Sequence, residues 1–398
     1  MSWEIRVTLT ITLMTLPFAI YLAFRVSAAL RTLKYFTKWL RISIALVPVI
    51  WYLLLPIYYG AMAISGSSQP LFIRENTLTT PDYLLLFPFW LSVIVILEAI
   101  PYFVSIDLIN LVLRLTKKRD HVIWDKTQAA IKIVAIIFLL FYAGFRSYND
   151  TYHVQSTHEN IAIQNLPAGL QNLKVGFFAD VQIDRYTQAK KLDQFKNILQ
   201  SEKPDMLFFA GDLVTSGKKY TSQATELMSS LSAGKRIAVL GDHDYWSDPS
   251  RIPAELKKGG WIFLQNEHRL VEYAGDTLLV TGVTHIYSKK TNKARLRALL
   301  EAAPDVRMKI LLVHQPAEFI AALAAEYGYQ ILLAGHTHGG GIVAHPWGIP
   351  VTPSRFETRY FSGFFTLEQL KIVVTNGIGN TLSPLRYHAT AEVIILRL

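Results

Sequence analysis

Five short motifs hold the groups that could do chemistry. They are Asp180-Val181-Gln182, Gly211-Asp212, Gly241-Asp242-His243-Asp244, the single His314, and Gly335-His336-Thr337-His338. Each follows a short apolar run: LKVGFFA (173–179), DMLFFAG (205–211), RIAVLG (236–241), KILLVH (309–314) and QILLAG (330–335). Carboxylates and imidazoles in this mixture, in a chain without cysteine, are oxygen and nitrogen ligands of the kind that suit Mn²⁺, Fe or Zn²⁺. The candidate ligands outnumber the needs of one ion. Two ions sharing a carboxylate fit them, and a pair of ions about 4 Å apart stabilises the attacking and leaving oxygens of a phosphoryl displacement. Each motif alone is weak, because a Gly-Asp after a strand is usually a turn or a helix N-cap, and the two histidines have a bland reading as solvated residues of a turn. It is the series that carries the argument.

The elements around these motifs must bring them together. Three more apolar runs have the same character, LLVTGV (278–283), KIVVTNG (371–377) and AEVIILRL (391–398). Amphipathic stretches at 188–201, 221–232, 292–303 and 316–327 lie between many of the runs. That alternation predicts an α/β domain of sheets covered by helices. Ligands in such a fold bind beyond the carboxyl ends of strands, so motifs placed just after strands converge on one edge.

The order D-x-(H/Q), G-D, G-(N/D)-H-D, H, G-H-x-H resembles the calcineurin-like metallophosphoesterase superfamily over roughly residues 170–398. The tail from Gly377 to Arg386 looks like the membrane-associated bacterial branch, with N-terminal transmembrane helices, which includes lipid-directed pyrophosphatases and phosphatases. The resemblance implies a four-layer α/β/β/α sandwich and a metal-dependent phosphoric ester hydrolase with two divalent ions, Mn²⁺ foremost, with Fe, Zn²⁺ or Mg²⁺ open. Carried over, it implies that Asp180, Gln182, Asp212 and His338 hold the first ion and that Asp212 bridges. Asp242, His314 and His336 would complete the second. His243 would stand near the scissile phosphate as general acid or transition-state donor, with Asp244 orienting it.

The chain departs from that pattern twice. Gln182 stands where a histidine is usual, and its carbonyl is a weaker and harder ligand. Asp242 stands where asparagine is usual, adding a charge that holds the second cation but weakens its Lewis acidity. These departures motivate an alternative reading, a non-catalytic metal-binding membrane sensor or scaffold with a degenerate site. His285 lies two residues past the run at 278–283 and is either substrate-binding or a turn histidine. Arg386 binds a phosphate or sugar, or forms an ion pair. His345 reads as a loop residue. Trp347 to Val351 with Phe361, Phe364 and Phe365 is either a lipid-facing rim or core under a long loop. Lys289, Lys290, Lys293, Arg295 and Arg297 are either a patch for anionic headgroups or a solvated helix face.

The N-terminal part has a different character. The chain is 51% hydrophobic and only 18% charged, which leans toward a membrane protein. Spans are predicted at 7–24, 42–64, 83–104 and 129–145, with 105–116 an amphipathic continuation of the third and Glu98 inside it. Arg25, Arg31, Lys34, Lys38 and Arg41 lie between the first two spans, and Arg114, Lys117, Lys118, Arg119 and Lys126 between the last two. The loop at 65–82 has one basic residue, Arg74. The positive-inside rule then puts both termini outside. The expectation is a multi-pass protein of the cytoplasmic (inner) membrane: a four-helix transmembrane region at 1–146, a linker at 147–170, and a periplasmic metallophosphoesterase domain at 171–398. If one span were only interfacial, that domain would face inward. The expected partners are the membrane and a lipid-linked phosphate substrate. The net charge of +10 does not argue for nucleic acid, because much of it clusters beside the spans and no aromatic–basic interleaving is present.

Overall fold

The computed structural model describes residues 3–66, 77–115, 121–187 and 189–398. Arg74 and the cluster at 117–120, used above for topology, lie outside the described residues, as does the first residue of the 188–201 stretch. Four long helices come first: α1 (Trp3–Leu33), α2 (Lys38–Ile64), α3 (Phe87–Leu115) and α4 (His121–Tyr152). Each is long and apolar enough to cross a membrane. Prolines sit inside three of them, Pro17, Pro48, Pro56 and Pro101. Spanning helices tolerate proline because neighbours re-satisfy the freed backbone groups.

Two buried or half-buried carboxylates of this unit, Asp107 and Glu98, are partnered. Asp107 on α3 is bound by Tyr21 and Arg25 of α1, and by Lys132 of α4 at 2.5 Å. A carboxylate beside an apolar span is tolerable only with such partners. Glu98 is buried and accepts a hydrogen bond from the His345 backbone N–H at 3.0 Å. Tyr142 on α4 bonds His388 at 2.8 Å, and the His388 and His345 rings meet through their Nδ1 atoms at 2.6 Å. The helical unit therefore includes more than the expected 1–146: it comprises Met1–Asn149 with Ile342–Val351 and Leu382–His388. Polar satisfaction contributes, since buried Glu98 needs a donor and the 342–351 segment supplies one.

The second unit comprises Asp150–Gly341, Thr352–Thr381 and Ala389–Leu398. The expected linker at 147–170 is corrected here. α4 runs through Tyr152, and β1 (Val154–Asn160) follows at once. Its polar sequence VQSTHEN hid it, and that polarity fits an edge strand with an exposed flank. The first sheet is completed by β2 (Lys174–Phe178), β3 (Met206–Phe209), β4 (Lys235–Ala238), β5 (Ile262–Phe263) and, at the chain's end, Ala391–Arg397, which is β12. Its order is β1-β12-β2-β3-β4-β5. The second sheet holds β6 (Glu267–Tyr273), β7 (Asp276–Val283), β8 (Met308–Val313), β9 (Ile331–Ala334), β10 (Gly363–Leu367) and β11 (Leu370–Val374), in the order β10-β11-β9-β8-β7-β6.

The helices among them are α5 (Ala189–Glu202), α6 (Thr221–Ser230), α7 (Asp242–Ser247), α8 (Arg251–Lys258), α9 (Lys293–Glu301) and α10 (Glu318–Glu326). Central strands are buried on both faces, so they read as unbroken apolar runs. Alternate residues of each strand divide between the core shared by the two sheets and a core under that sheet's own helices. Met206 and Phe208 of β3 and Ile310 and Leu312 of β8 share the core between the sheets. Leu207 and Phe209 turn the other way onto Leu192, Phe195, Met228 and Leu256 of α5, α6 and α8. Leu311 and Val313 pack onto Leu296 and Leu300 of α9 and Ile320 of α10. The four layers are helix, sheet, sheet, helix.

Candidate metal centre

The five motifs leave the carboxyl ends of β2, β3, β4, β8 and β9. The backbone there is bent sharply. Asp180, Gln182, Asp212, His336 and His338 all have positive φ, at 50, 42, 63, 72 and 51°. Residues other than glycine rarely adopt that region, and such outliers cluster at functional sites. Glycines beside them leave room. A Cβ on Gly335 would lie 2.7 Å from Asp180 Oδ2, and one on Gly241 would collide with the Asp212 carboxylate.

The side chains converge. Asp242, His314 and His336 bring ligand atoms within 4.8 Å of one another, and so do Asp180, Asp212 and His314. His314 Nε2 lies 3.3 Å from both Asp212 Oδ2 and Asp242 Oδ2. His336 Nδ1 is 3.1 Å from Asp242 Oδ2, and His338 Nε2 is 3.5 Å from Asp180 Oδ1. Gln182 donates from Nε2 to Asp212 Oδ2 at 3.3 Å. His314 belongs to both groups, but an imidazole nitrogen has one lone pair, so a carboxylate is the group that can be shared.

Second-layer contacts fix these ligands. His314 Nδ1 bonds the Ala210 carbonyl at 2.7 Å, which turns Nε2 inward. Asp180 Oδ2 accepts the His336 backbone N–H at 2.9 Å. Asp212 Oδ1 accepts that of His243 at 2.8 Å. Asp242 Oδ1 takes the Tyr287 backbone N–H at 2.5 Å, and Oδ2 takes Gln315 Nε2 at 2.8 Å. His336 Nε2 reaches Glu357 Oε1 at 3.3 Å, to which the Tyr287 hydroxyl donates at 2.6 Å. Tyr287, Gln315 and Glu357 were not singled out from sequence. Gln315 directly follows a ligand, but Glu357 lies in a loop with no motif of its own.

The donor set fits divalent cations. Asp180 Oδ1, Gln182 Oε1 and His314 Nε2 are buried and make no hydrogen bond. Buried polar atoms are normally satisfied by hydrogen bonds, and these three have only the other ligands beside them, which marks a place for ions. The electrostatics agree. Burial raises Asp180 to about 7, helped by the Asp212 charge. Burial would raise Asp212 and Asp242 too, but the adjacent imidazoles hold both well below the carboxylate range. Burial alone would lower His314 and His336. Asp212 and Asp242 raise His314 well above its ordinary value, and Asp242 and Glu357 raise His336 to about 9.

Asp244 differs from its expected role. Its Oδ1 accepts the Leu213 N–H at 2.7 Å, and its Oδ2 accepts those of Asp212 at 2.8 Å and Gly241 at 3.2 Å. None of these bonds goes to the His243 ring, whose Nδ1 is held by the Thr215 carbonyl instead. At the third position of α7, capped by Gly241, Asp244 is better placed to clasp the turn that presents Asp212 than to orient a neighbour. Burial and the Asp212 charge push its carboxyl up to about 6. His285 is buried against Phe319, ring centroids 5.4 Å apart, and burial and then Lys290 lower it to about 4. Arg386 is buried within the helical unit.

Residues 173–340 match the family model described as calcineurin-like phosphoesterase. The chain carries a calcineurin-like metallophosphoesterase domain. It is similar to the uncharacterized metallophosphoesterase YkuE of Bacillus subtilis, with 25% identity over 64% of this chain and 89% of that one. An uncharacterized metallophosphoesterase of Aquifex aeolicus is 29% identical over 65% of this chain and 97% of its own. A bovine protein named transmembrane protein with metallophosphoesterase domain is 26% identical over 60% of this chain and 55% of its own. The metallophosphoesterase domain is that of a metal-dependent phosphoester hydrolase, and the four apolar helices make the chain a membrane protein.

Proposed function

We propose that this metallophosphoesterase hydrolyses a phosphoester or pyrophosphate bond of a lipid-linked or membrane-proximal substrate, with two divalent ions, outside the cytoplasmic membrane. The observation that carries the two-ion reading is the pair of ligand groups around Asp180/Asp212 and Asp242/His336, with unpartnered ligand atoms in the first and between the two. Asp180, Gln182, Asp212 and His338 would hold one ion, and Asp212, Asp242, His314 and His336 the other. Bound ions of this kind activate water and neutralise charge on a transferring phosphoryl group. His243, half-buried beside Asp212 and tethered by Thr215, is the side chain available to donate a proton or hydrogen bond to the phosphate.

Two features support a lipid-linked substrate. The catalytic unit is covalently continuous with four helices suited to a bilayer. Phe356 is 93% exposed and adjoins Glu357, which touches His336. Trp246 and Tyr287, both exposed and stacked 6.3 Å apart, add further apolar surface beside His336 and His243. The basic turn between α1 and α2, with Arg31, Lys34 and Lys38, supports an extracytoplasmic domain by the positive-inside rule.

The test is hydrolysis of p-nitrophenyl phosphate and bis-p-nitrophenyl phosphate with added Mn²⁺, comparing the full chain with Asp212→Ala. Activity lost in the variant supports the reading. If both proteins are inert with every metal and with lipid phosphates, while bound metal is measured, the non-catalytic metal-binding alternative replaces it. Gln182 and Asp242 are the residues that favour that alternative.

A further inference from the structure

The basic residues at 289–297 do not act as one patch in the fold. Arg297 pairs with Glu326 at 3.2 Å. Lys289, Lys290 and Arg295 instead line a cavity of about 590 Å³, together with Gln265, Asn266 and Thr284. Among the described residues, no acidic one lines it. Among the described residues, none of the three cations has a carboxylate within ion-pair distance. Two of them lie over aromatic rings: Lys289 is 4.8 Å from the Tyr245 ring and Lys290 is 5.4 Å from that of Tyr287. Such contacts orient an ammonium group without neutralising it.

One side of this cavity is built by a segment that leads away from the metal centre. The segment that builds it begins at Tyr287, whose backbone N–H is bound to Asp242, and continues through Ser288, whose hydroxyl accepts from Trp246 Nε1 at 2.7 Å. Lys290 is three residues beyond Tyr287, so their Cα atoms lie within about 11 Å by chain length alone. Lys289 and Arg295 line the same cavity as Lys290, so the three cations are grouped on the chain segment that leaves the metal centre. All three are exposed cations on one lining, and an anion placed among them would be attracted by each.

We infer that Lys289, Lys290 and Arg295 bind a second phosphate of the substrate, set off from the scissile one by a spacer about the size of a sugar or glycerol. This rests on the phosphoesterase reading above. The same cations could meet a lipid headgroup phosphate instead, and the experiment separates the two sources.

The probes are fructose 1,6-bisphosphate and fructose 6-phosphate, with p-nitrophenyl phosphate as reference, on the Mn²⁺-loaded full chain in detergent micelles. The wild type is expected to favour the bisphosphate at least tenfold in kcat/KM. The combined Lys289→Ala/Lys290→Ala/Arg295→Ala variant should lose that preference through KM, with kcat on p-nitrophenyl phosphate unchanged. Arg295→Lys should restore part of what Arg295→Ala loses, and rising salt should erode the preference. Equal loss on all three substrates, or no bisphosphate preference in the wild type, overturns the inference. So does a loss that emerges only when phosphatidylglycerol is added to the micelles, which would assign the cations to headgroups. Calorimetric titration of full-length Asp212→Ala with fructose 1,6-bisphosphate reads the cavity without turnover. Binding weakened tenfold by the triple substitution supports it even if the phosphoesterase reading fails, and absence of binding refutes it.

Discussion

Asp244 offers the sharpest test of how the metal centre is held. Its carboxylate accepts three buried backbone N–H groups, from Asp212, Leu213 and Gly241. Asp244→Ala leaves all three without an acceptor. Each such group costs about 1–3 kcal/mol when buried and unsatisfied, and water entering the small void recovers part of that. A loss of roughly 3–6 kcal/mol follows. For a domain of this size that is on the order of 10 °C or more in Tm. The same loss frees Asp212 from its positive-φ turn at 63°, so metal affinity falls with it. Asp244→Asn can still accept with one oxygen but turns an N–H₂ toward backbone donors, so its effect should be intermediate. Thermal unfolding of the micelle-bound protein, with and without Mn²⁺, together with metal content at equilibrium, reads both. The reasoning is refuted if Asp244→Ala melts like the wild type and keeps its metal while only the pH dependence of kcat moves. That result would restore the role of orienting His243.

Three further outcomes follow from the geometry. Glu357→Gln removes the charge behind His336 Nε2, and outer-layer partners of metal ligands are typically worth 10–100-fold in affinity or activity, so about a tenfold weaker metal Kd is expected by titration. Gln182→His replaces an amide oxygen by imidazole, and competition titration should show Zn²⁺ gaining on Mn²⁺; an unchanged preference would remove Gln182 from the ligand set. His285 is buried and lowered to about 4 from 6.5, so the unfolded chain binds the proton more readily, and its contribution to stability is lost as pH falls from about 6.5 toward 4. His285→Gln should therefore show a smaller drop in Tm between pH 7 and pH 5 than the wild type; an equal drop excludes the imidazole as its source.

Much of this protein was legible from sequence because the signals are local. Spanning helices declare themselves by length and apolarity, and their observed ends extend the predicted spans at 7–24 and 129–145 by several residues. Strands buried on both faces, such as β2, β3, β8 and β9, read as unbroken apolar runs, and the ligands directly follow them. Strands at or near sheet edges did not show. β1, β6 and β10 are polar or alternating because one flank faces solvent, and β5 has only two residues.

Contacts between residues distant in sequence were decided by the tertiary structure alone. The motif at 335–338 supplies two imidazoles by sequence, but only the fold sends His336 to Asp242 and Glu357, and His338 to Asp180. Asp244 adjoins His243 in the chain, yet the turn of α7 commits its carboxylate to the backbone at 212–213. Glu98 gave no hint of its donor, which arrives from His345, 247 residues away. Residue type and spacing determine which chemistry a chain can attempt. Which atoms meet depends on how buried polar groups find partners, and that is settled only when every strand end is in place.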